Sequence, residues 1–561
     1  MSRIGFYMCE CGPNIKDGLH MESVLESAAS MPGVVVSKPF GLLCSAQGKQ
    51  FLIDEITSNE LTHLVVGGCS PRQHESTFMD VCEQSGLNPY LFQMVNLREH
   101  CSWIIEDHEA ATEKAIRAVR SAIARVNHHE ALRKKEIELC TDVLIVGGGI
   151  AGMEAALTLA DGQRTIYLVE KDAFLGGSVR KIESIFGYDQ SGTALIESRV
   201  NSLESTSDIR TYKGSQVTEI LGFLGNYIAT INICDENREE VVEVGAVILA
   251  TGFFPQHSPD TGENSRSRVF TTFEIAEMIS PAGPTKGKIT WNDGESPKSL
   301  AIMHCIGRSE AGYCSGVCCR ANIQLSLSLR EHMPDLSITH FHSGLCLPGQ
   351  SAEDMHRNAL ESGIEFIYAE EPDIDTSKNQ ISIQWTDETG KAVQKNFDVI
   401  AQSPAMVPAR NSGAFAESLN VDIDDSGFIQ EAHEKLEPTA TSVEGIFTAG
   451  CAQGPMTIGE SIMQARAAAG RILSVLVPGR KLEPELRVAN IVEELCIGCQ
   501  QCMTVCAYGA ISYNELKTVC EVNEVLCRGC GNCTAACPSG ANRQRHFKSI
   551  QIYPELCEAL R

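Results

Sequence analysis

A chain of 561 residues, 43% hydrophobic, with a formal net charge of −26 has the composition of a globular protein of three or four domains. The acidic balance argues against nucleic acid and anionic membrane surfaces and favours protein partners. No apolar run reaches the roughly 18 residues of a membrane span, and Met1-Ser2-Arg3 leads into a strand-like IGFYM without signal-peptide architecture. Twenty-four cysteines in a long, unsignalled chain point to metal binding or catalysis in a reducing compartment rather than to a disulfide framework; the cytoplasm is the expected location.

Residues 1–103 read as a small α/β domain. The runs IGFYM, VVVSKPF and THLVVGG are short and β-rich, and helix-like stretches separate them, the second (Gly48 to Ser58) amphipathic. A cysteine follows each run: Cys9 and Cys11, then Cys44, then Cys69. In a parallel sheet the carboxyl ends of the strands share one edge, where ligands bind. Four thiols delivered there could hold one [4Fe–4S] cluster; separate buried cysteines acting as small hydrophobes are the alternative. Cys82 and Cys101 are assigned to packing or to a supporting place behind the ligands. Residues 104–139 alternate acids and bases around Ala, Ile and Val, which predicts a solvated helical linker between domains with His128 and His129 exposed.

The stretch Asp142 to Gly177 carries a βαβ pattern. An apolar run (Val143 to Val146) enters Gly147-Gly148-Gly149-Ile150-Ala151-Gly152, a small-residue helix follows, and a second apolar strand ends on Glu170 and Lys171. The glycines permit a tight turn and close approach to a pyrophosphate, the helix N-terminus offers unpaired N–H groups, and Glu170 can accept from ribose hydroxyls. This context makes a dinucleotide site rather than a simple turn. Two later stretches resemble the second and third FAD contacts of two-dinucleotide-fold flavoproteins of the thioredoxin reductase type: a strand into Ala250-Thr251-Gly252, and GIFTAG (Gly445 to Gly450) before the helix Ile458 to Arg471. Leu175-Gly176-Gly177 fits the same pattern. The resemblance implies FAD held by Gly147, Gly149, Ile150, Ala151, Gly152, Glu170, Lys171, Gly176, Gly177, Val217, Ala250, Thr251, Gly252, Gly450, Cys451, Met456 and Ile458. Cys451 stands where such flavoproteins usually place an acid. The FAD-binding domain is expected in two parts, 140–297 and 406–484, with residues 185–245 as β-rich connecting structure.

Between those parts, residues 298–405 should form a second dinucleotide fold. Lys298 to His304 is a strand, yet no glycine fingerprint follows; the chain reads Cys305-Ile306-Gly307-Arg308-Ser309-Glu310-Ala311-Gly312-Tyr313-Cys314-Ser315-Gly316-Val317-Cys318-Cys319. The expectation is a degenerate NAD-type domain that carries an iron–sulfur cluster and binds no NAD(P)H. A redox disulfide and a zinc site are the alternatives; adjacent Cys318 and Cys319 do not easily meet disulfide geometry.

Residues 485–561 carry two bacterial ferredoxin runs, Cys496, Cys499, Cys502, Cys506 and Cys527, Cys530, Cys533, Cys537-Pro538. In such domains the fourth cysteine of each run ligates the other cluster. One set is therefore Cys496, Cys499, Cys502 and Cys537, and the other is Cys527, Cys530, Cys533 and Cys506. Cys140, Cys234, Cys346, Cys520 and Cys557 are left unassigned.

The whole chain resembles the HdrA family of heterodisulfide reductase, whose members are iron–sulfur flavoproteins. The resemblance runs through Cys9-Glu10-Cys11-Gly12, Gly68-Cys69-Ser70-Pro71-Arg72, Tyr313 to Cys319 and the tail. It implies a multidomain α/β protein: a thioredoxin-reductase-like two-dinucleotide-fold core that binds FAD, a small α/β N-terminal domain, and a C-terminal bacterial-type 2[4Fe–4S] ferredoxin domain. It also implies cluster ligation by Cys305, Cys314, Cys318 and Cys319, so that four [4Fe–4S] clusters surround one FAD. The implied function is an electron-transfer oxidoreductase subunit that splits or merges electron pairs (flavin-based bifurcation or confurcation). The implied partners are heterodisulfide-reductase B- and C-like subunits and a small iron–sulfur linker protein to a hydrogenase or formate dehydrogenase, in a dimer of complexes. Two features depart from the family: no cysteine block is inserted between Gly177 and Thr251, and Met456 follows Gln453-Gly454-Pro455 where a lysine is expected. An NAD(P)H-linked disulfide or polysulfide reductase with a ferredoxin tail, and a non-bifurcating relay, are the rival readings.

Overall fold

The computed structural model describes residues 2–133, 136–256, 268–281, 283–290, 296–370, 372–376, 381–483 and 486–561. The expected boundary between 484 and 485 lies outside them. Two compact units result: Met1–Ile137 with Glu483–Arg561, and Glu138–Leu482.

In the first unit the strands Ile4–Cys9, Val34–Phe40, His63–Gly68 and Phe92–Asn96 form a parallel sheet with the first strand between the second and third. Ile4–Cys9 and His63–Gly68 are buried throughout, as parallel strands covered on both faces require. The helix His108–Val126, capped by the Asp107 side chain accepting from Ala110 N–H, is not the solvated linker that its charges predict. Ala111, Ala115, Val119, Ala122, Ile123 and Val126 lie in the same apolar core as Ile4, Phe6 and Val65. The charges occupy the other side of an amphipathic helix, and two of them are engaged: Arg120 pairs with Glu558 at 2.8 Å and Arg125 with Glu555 at 2.8 Å. Both acids belong to the C-terminal helix Ser549–Ala559. The ferredoxin module thus packs on the N-terminal one, although Arg120 and Glu558 stand 438 residues apart in sequence. Its own frame is small: Ala489–Ile491 pairs with Asn542–Gln544, and Ile511–Asn514 with Val519–Val522, both antiparallel.

The second unit contains two parallel sheets. In the first, Val143–Val146 lies between Ala246–Leu249 and Ile166–Val169, with Ile446–Thr448 and Ile209–Tyr212 at the edges. The helices Ile150–Leu159 and Ile458–Val475 pack on it and share its core. In the second, Ser299–Ile306 lies between Val399–Pro404 and Ser337–His342, with Val269–Thr271 and Glu365–Tyr368 outside. The stretch expected to be β-rich opens instead with a helix, Gly192–Glu204, whose N-cap Ser191 accepts from Ala194 N–H. Three antiparallel strands then follow, Ser215–Phe223, Asn226–Ile233 and Arg238–Val244. Among the described residues no helix is long and apolar enough to cross a membrane.

Candidate flavin and iron–sulfur sites

The glycine turn lies at the carboxyl end of Val143–Val146. Gly147 has φ +112°, and a Cβ there would come within 2.2 Å of the Ala250 carbonyl oxygen; one on Gly152 would come within 1.9 Å of the Gly147 carbonyl oxygen. Gly149 caps the helix that begins at Ile150 and continues through Ala151, and a Cβ on it would meet nothing within 4 Å. The turn is thus packed tightly on its protein side and open where a phosphate would lie. Glu170 is buried; its carboxylate accepts from Gly148 N–H at 2.7 Å and from Asp172 N–H at 2.9 Å. These bonds fix its direction and leave further lone pairs for ribose hydroxyls. Lys171 beside it is exposed. Gly149 and Gly176 form a parallel bridge, which draws Gly176 and Gly177 against the turn. Ser215 N–H donates to the Glu170 carbonyl at 2.9 Å, which brings the start of the Val217 strand to the same edge.

Among the described residues Thr251 Oγ1 is buried without a partner, as expected of a hydroxyl whose partner is a ligand. Gly252, its neighbour, has open space at its Cβ position. On the far side Gly450 has φ +69° and abuts Ala151. The Cys451 thiol donates to the Met456 carbonyl at 3.5 Å, closing the turn before Ile458. A small-residue cradle, an oriented buried carboxylate and an orphaned hydroxyl fit FAD.

The N-terminal strands deliver Cys9, Cys11, Cys44 and Cys69 to one side-chain cluster. Cys9 and Cys69 are buried and the other two partly so. Burial pushes the Cys9 thiol up. It pushes Cys69 up to about 11, against the opposing pull of the Arg98 guanidinium. Cys11 has φ +49°, a region that non-glycine residues enter only where surroundings hold them. Cys82 is buried in the apolar core on a helix and Cys101 in the neighbouring core.

In the second sheet Cys305, the last residue but one of its strand, has φ +62°, and Cys318 and Cys319 open the helix Cys318–His332. The fields of Cys305 and Cys314 both reach Cys318, so the strand end and the helix start bring these thiols into one neighbourhood. Hydrogen bonding between the adjacent thiols pushes Cys318 up and Cys319 down. A further thiol joins them: Cys346 N–H donates to Cys319 Sγ at 3.4 Å, and its own thiol is raised by burial and then by Cys314 and Cys319. Behind the group runs a buried polar chain. His304 Nε2 lies 2.8 Å from His340 Nδ1, His340 Nε2 lies 2.8 Å from Ser326 Oγ, and Ser326 donates to the Asn322 carbonyl at 2.9 Å. Since the one serine proton is committed, His340 Nε2–H donates to Ser326 and His304 Nε2–H donates to His340. His304 Nδ1 is buried, and the nearness of His304 helps to hold the Cys319 thiol down. Neither Cys346 nor the histidine chain was legible in sequence, because their partners lie 14 to 36 residues away without a motif.

In the ferredoxin module one pocket is lined by Cys496, Cys499, Cys502 and Cys537 among others, and a second by Cys527, Cys530, Cys533 and Cys506 among others. The fourth cysteine of each run lines the other run's cavity. Backbone amides point at these sulfurs: Ala510 N–H at Cys506 (3.3 Å), Asn542 N–H at Cys537 (3.3 Å) and Ala489 N–H at Cys527 (3.5 Å). Burial pushes Cys537 up, yet the amides of Asn542, Ser539 and Ala541 outweigh it and hold the thiol down. The fully buried Cys520 also lines the first cavity, and with burial it pushes Cys502 up to about 12. Sets of four thiols around cavities, with N–H groups aimed at sulfur, fit iron–sulfur clusters.

The family model for pyridine nucleotide-disulphide oxidoreductases matches residues 141–469, and that for 4Fe-4S dicluster domains matches residues 495–541. The chain is 32% identical to an A-type iron-sulfur subunit of the CoB–CoM heterodisulfide reductase of Methanopyrus kandleri, over 100% of this chain and 99% of that one. It is also 32% identical to the A-type subunit of the H2:CoB–CoM heterodisulfide,ferredoxin reductase of Methanothermobacter thermautotrophicus, over 100% and 97%. These alignments run to 648 and 645 positions, so each relative carries residues that this 561-residue chain lacks. Among solved structures, a Lactococcus lactis thioredoxin reductase aligns with 60% of this chain and 99% of its own, at 20% identity and a TM-score of 0.43.

Proposed function

Since the chain belongs to the HdrA family of heterodisulfide reductase iron–sulfur subunits, we propose that it is the electron hub of a complex, with one FAD and four [4Fe–4S] clusters. The oxidoreductase role, the flavin and the iron–sulfur character come with the family. The finer reading assigns the clusters to Cys9, Cys11, Cys44 and Cys69; to Cys305, Cys314, Cys318 and Cys319; and to the two crossed ferredoxin sets. Bound FAD supplies two-electron exchange and each cluster one-electron exchange. The chain's own residues hold and orient: Glu170 and the glycine turn fix the dinucleotide, and Thr251 offers a hydroxyl to it. The amides of Ala489, Ala510 and Asn542 stabilise negative charge on sulfur.

The observation that carries this reading is the junction Cys305 to Cys319. Where a nicotinamide-dependent fold would turn on glycines into its helix, this chain gathers four thiols. Electrons then enter and leave through proteins, and splitting or merging electron pairs between those proteins is the activity the layout supports. B- and C-like subunits, a small iron–sulfur linker protein to a hydrogenase or formate dehydrogenase, a dimer of complexes and a cytoplasmic setting complete the proposal. Met456, whose carbonyl accepts from the Cys451 thiol, stands where the family resemblance leads to the expectation of a lysine that could tune the flavin potential.

Iron, sulfide and FAD content of anaerobically purified protein tests it. About sixteen irons per FAD are expected, with no bleaching of the flavin by NADH. About eight irons would leave only the ferredoxin module filled, and flavin bleaching by NADH would favour the disulfide reductase reading.

A further inference from the structure

Arg98 sits over the N-terminal thiols without being one of the expected ligands. It opens the π-helical turn Arg98–Ser102, which is anchored on both sides. Leu97, fully buried, donates its N–H to the Gly68 carbonyl at 2.8 Å, and Glu99 N–H donates to Asn96 Oδ1 at 3.0 Å. From this base the guanidinium is held in three directions. Nη1 donates to Cys11 Sγ at 3.5 Å; Nε and Nη2 donate to Glu99 Oε1 at 3.2 and 2.7 Å; the Arg98 Cζ lies 4.7 Å from the centre of the Trp103 ring. The other carboxylate oxygen, Glu99 Oε2, is buried and has no hydrogen-bond partner among the described residues. The side chain of Arg98 is only 19% exposed.

Hydrogen bonds and positive charge at ligand sulfurs are a principal lever on an iron–sulfur potential. The couple is a one-electron couple, and reduction adds one negative charge beside the guanidinium. We propose that Arg98 is a positioning residue that raises the reduction potential of the N-terminal site through Cys11, with Glu99 as a counterweight that limits the rise. The proposal rests on the reading that Cys9, Cys11, Cys44 and Cys69 hold a cluster.

The test is an EPR-monitored redox titration of the anaerobic full-length protein, wild type against Arg98→Met, Arg98→Lys and Glu99→Gln. Arg98→Met should lower the reduced-to-oxidised ratio of one cluster roughly tenfold at fixed poise, which for a one-electron couple is about 59 mV. The remaining signals should not move. Arg98→Lys should restore part of the loss, and Glu99→Gln should shift the same signal the opposite way. If Arg98→Met proves insoluble, Glu99→Gln decides: an upward shift of one signal supports the proposal. Absence of any shift, or an equal shift of every signal, overturns it. The iron content of a Cys11→Ser, Cys69→Ser double variant separates the two levels. Loss of about four irons without any Arg98 or Glu99 effect defeats the Arg98 assignment alone. Unchanged iron defeats the cluster reading and the assignment with it.

Discussion

A methyl group at Gly152 would land 1.9 Å from the Gly147 carbonyl oxygen, inside the turn that the dinucleotide must approach. Neither partner can yield: Gly147 is itself pressed against Ala250, and the helix from Ile150 is buried over its first two turns. Gly152→Ala should therefore purify with little flavin and unfold at lower urea, with a cost of about 1–3 kcal/mol for overpacking. The flavin-to-protein absorbance ratio and the urea midpoint check this; full flavin occupancy would mean that the turn can relax. Residues of this kind were legible in sequence because their chemistry is local. The glycines, Glu170 and the ferredoxin cysteines are set by short spacings that only a few structures satisfy. Arg98, Cys346, Cys520 and His304 were not, since each takes its meaning from a partner that only the folded chain supplies. Arg98 is 87 residues from the sulfur it touches.

The helix His108–Val126 shows the limit at the scale of an element. Its charge alternation was plain, and it did predict a helix, but alternation does not say which side faces protein. Alanines at 111, 115 and 122 carry little hydrophobic signal, yet they allow the close approach that buries that face. Just past its end, His129 is not exposed as its polar surroundings suggest. Its Nδ1–H donates to the Tyr90 carbonyl at 3.1 Å, its ring lies 4.5 Å from that of His546, and its Nε2 is buried without a partner among the described residues. Burial first, then the nearby His546 and Arg125, lower its pKa to about 3, and burial also lowers His546. The sign follows directly. Above the unfolded value near 6.5 both states are neutral and nothing is lost; as pH falls from about 6.5 toward 3 the unfolded chain binds a proton that the native state refuses. Stability should fall by up to about 1.4 kcal/mol per pH unit for each such group. Denaturant midpoints between pH 7.5 and 5 should therefore drop, and the drop should be smaller in His129→Asn, which keeps the bond to Tyr90. Because wild type and variant share any acid lability of the clusters, the difference between them isolates the histidine. Identical slopes would place the acid sensitivity elsewhere.

At the scale of the molecule, chain order and spatial order disagree. Six consecutive segments are the natural reading of the sequence, but the chain's first two segments and its last form one compact unit, and Glu138–Leu482 forms the other. Nothing local in sequence announces this. It depends on Arg120 and Arg125 meeting Glu558 and Glu555, and on the His546 Nε2–H donating to the Glu130 carbonyl at 2.8 Å. Each unit also owns its apolar cores: the cores around Ile145, Leu249, Ile302 and Ile383 are built within the second unit, and those around Phe6, Val66 and Val488 within the first. A core that closes within its own segment needs no distant residue to fold. Residues 138–482 expressed alone should therefore be soluble and monodisperse and carry FAD, because every residue assigned to the flavin lies within them. They should hold about four irons per FAD, from Cys305, Cys314, Cys318 and Cys319, against about sixteen for the full chain. Residues 1–137 alone should fare worse, since removing Glu483–Arg561 strips His129, Arg120 and Arg125 of their cover and partners. Size-exclusion, flavin and iron measurements on the two fragments decide the matter. A flavin-free or aggregated 138–482 would mean that the second unit depends on the first, and zero iron in a flavin-loaded fragment would return Cys305 to Cys319 to the status of thiols.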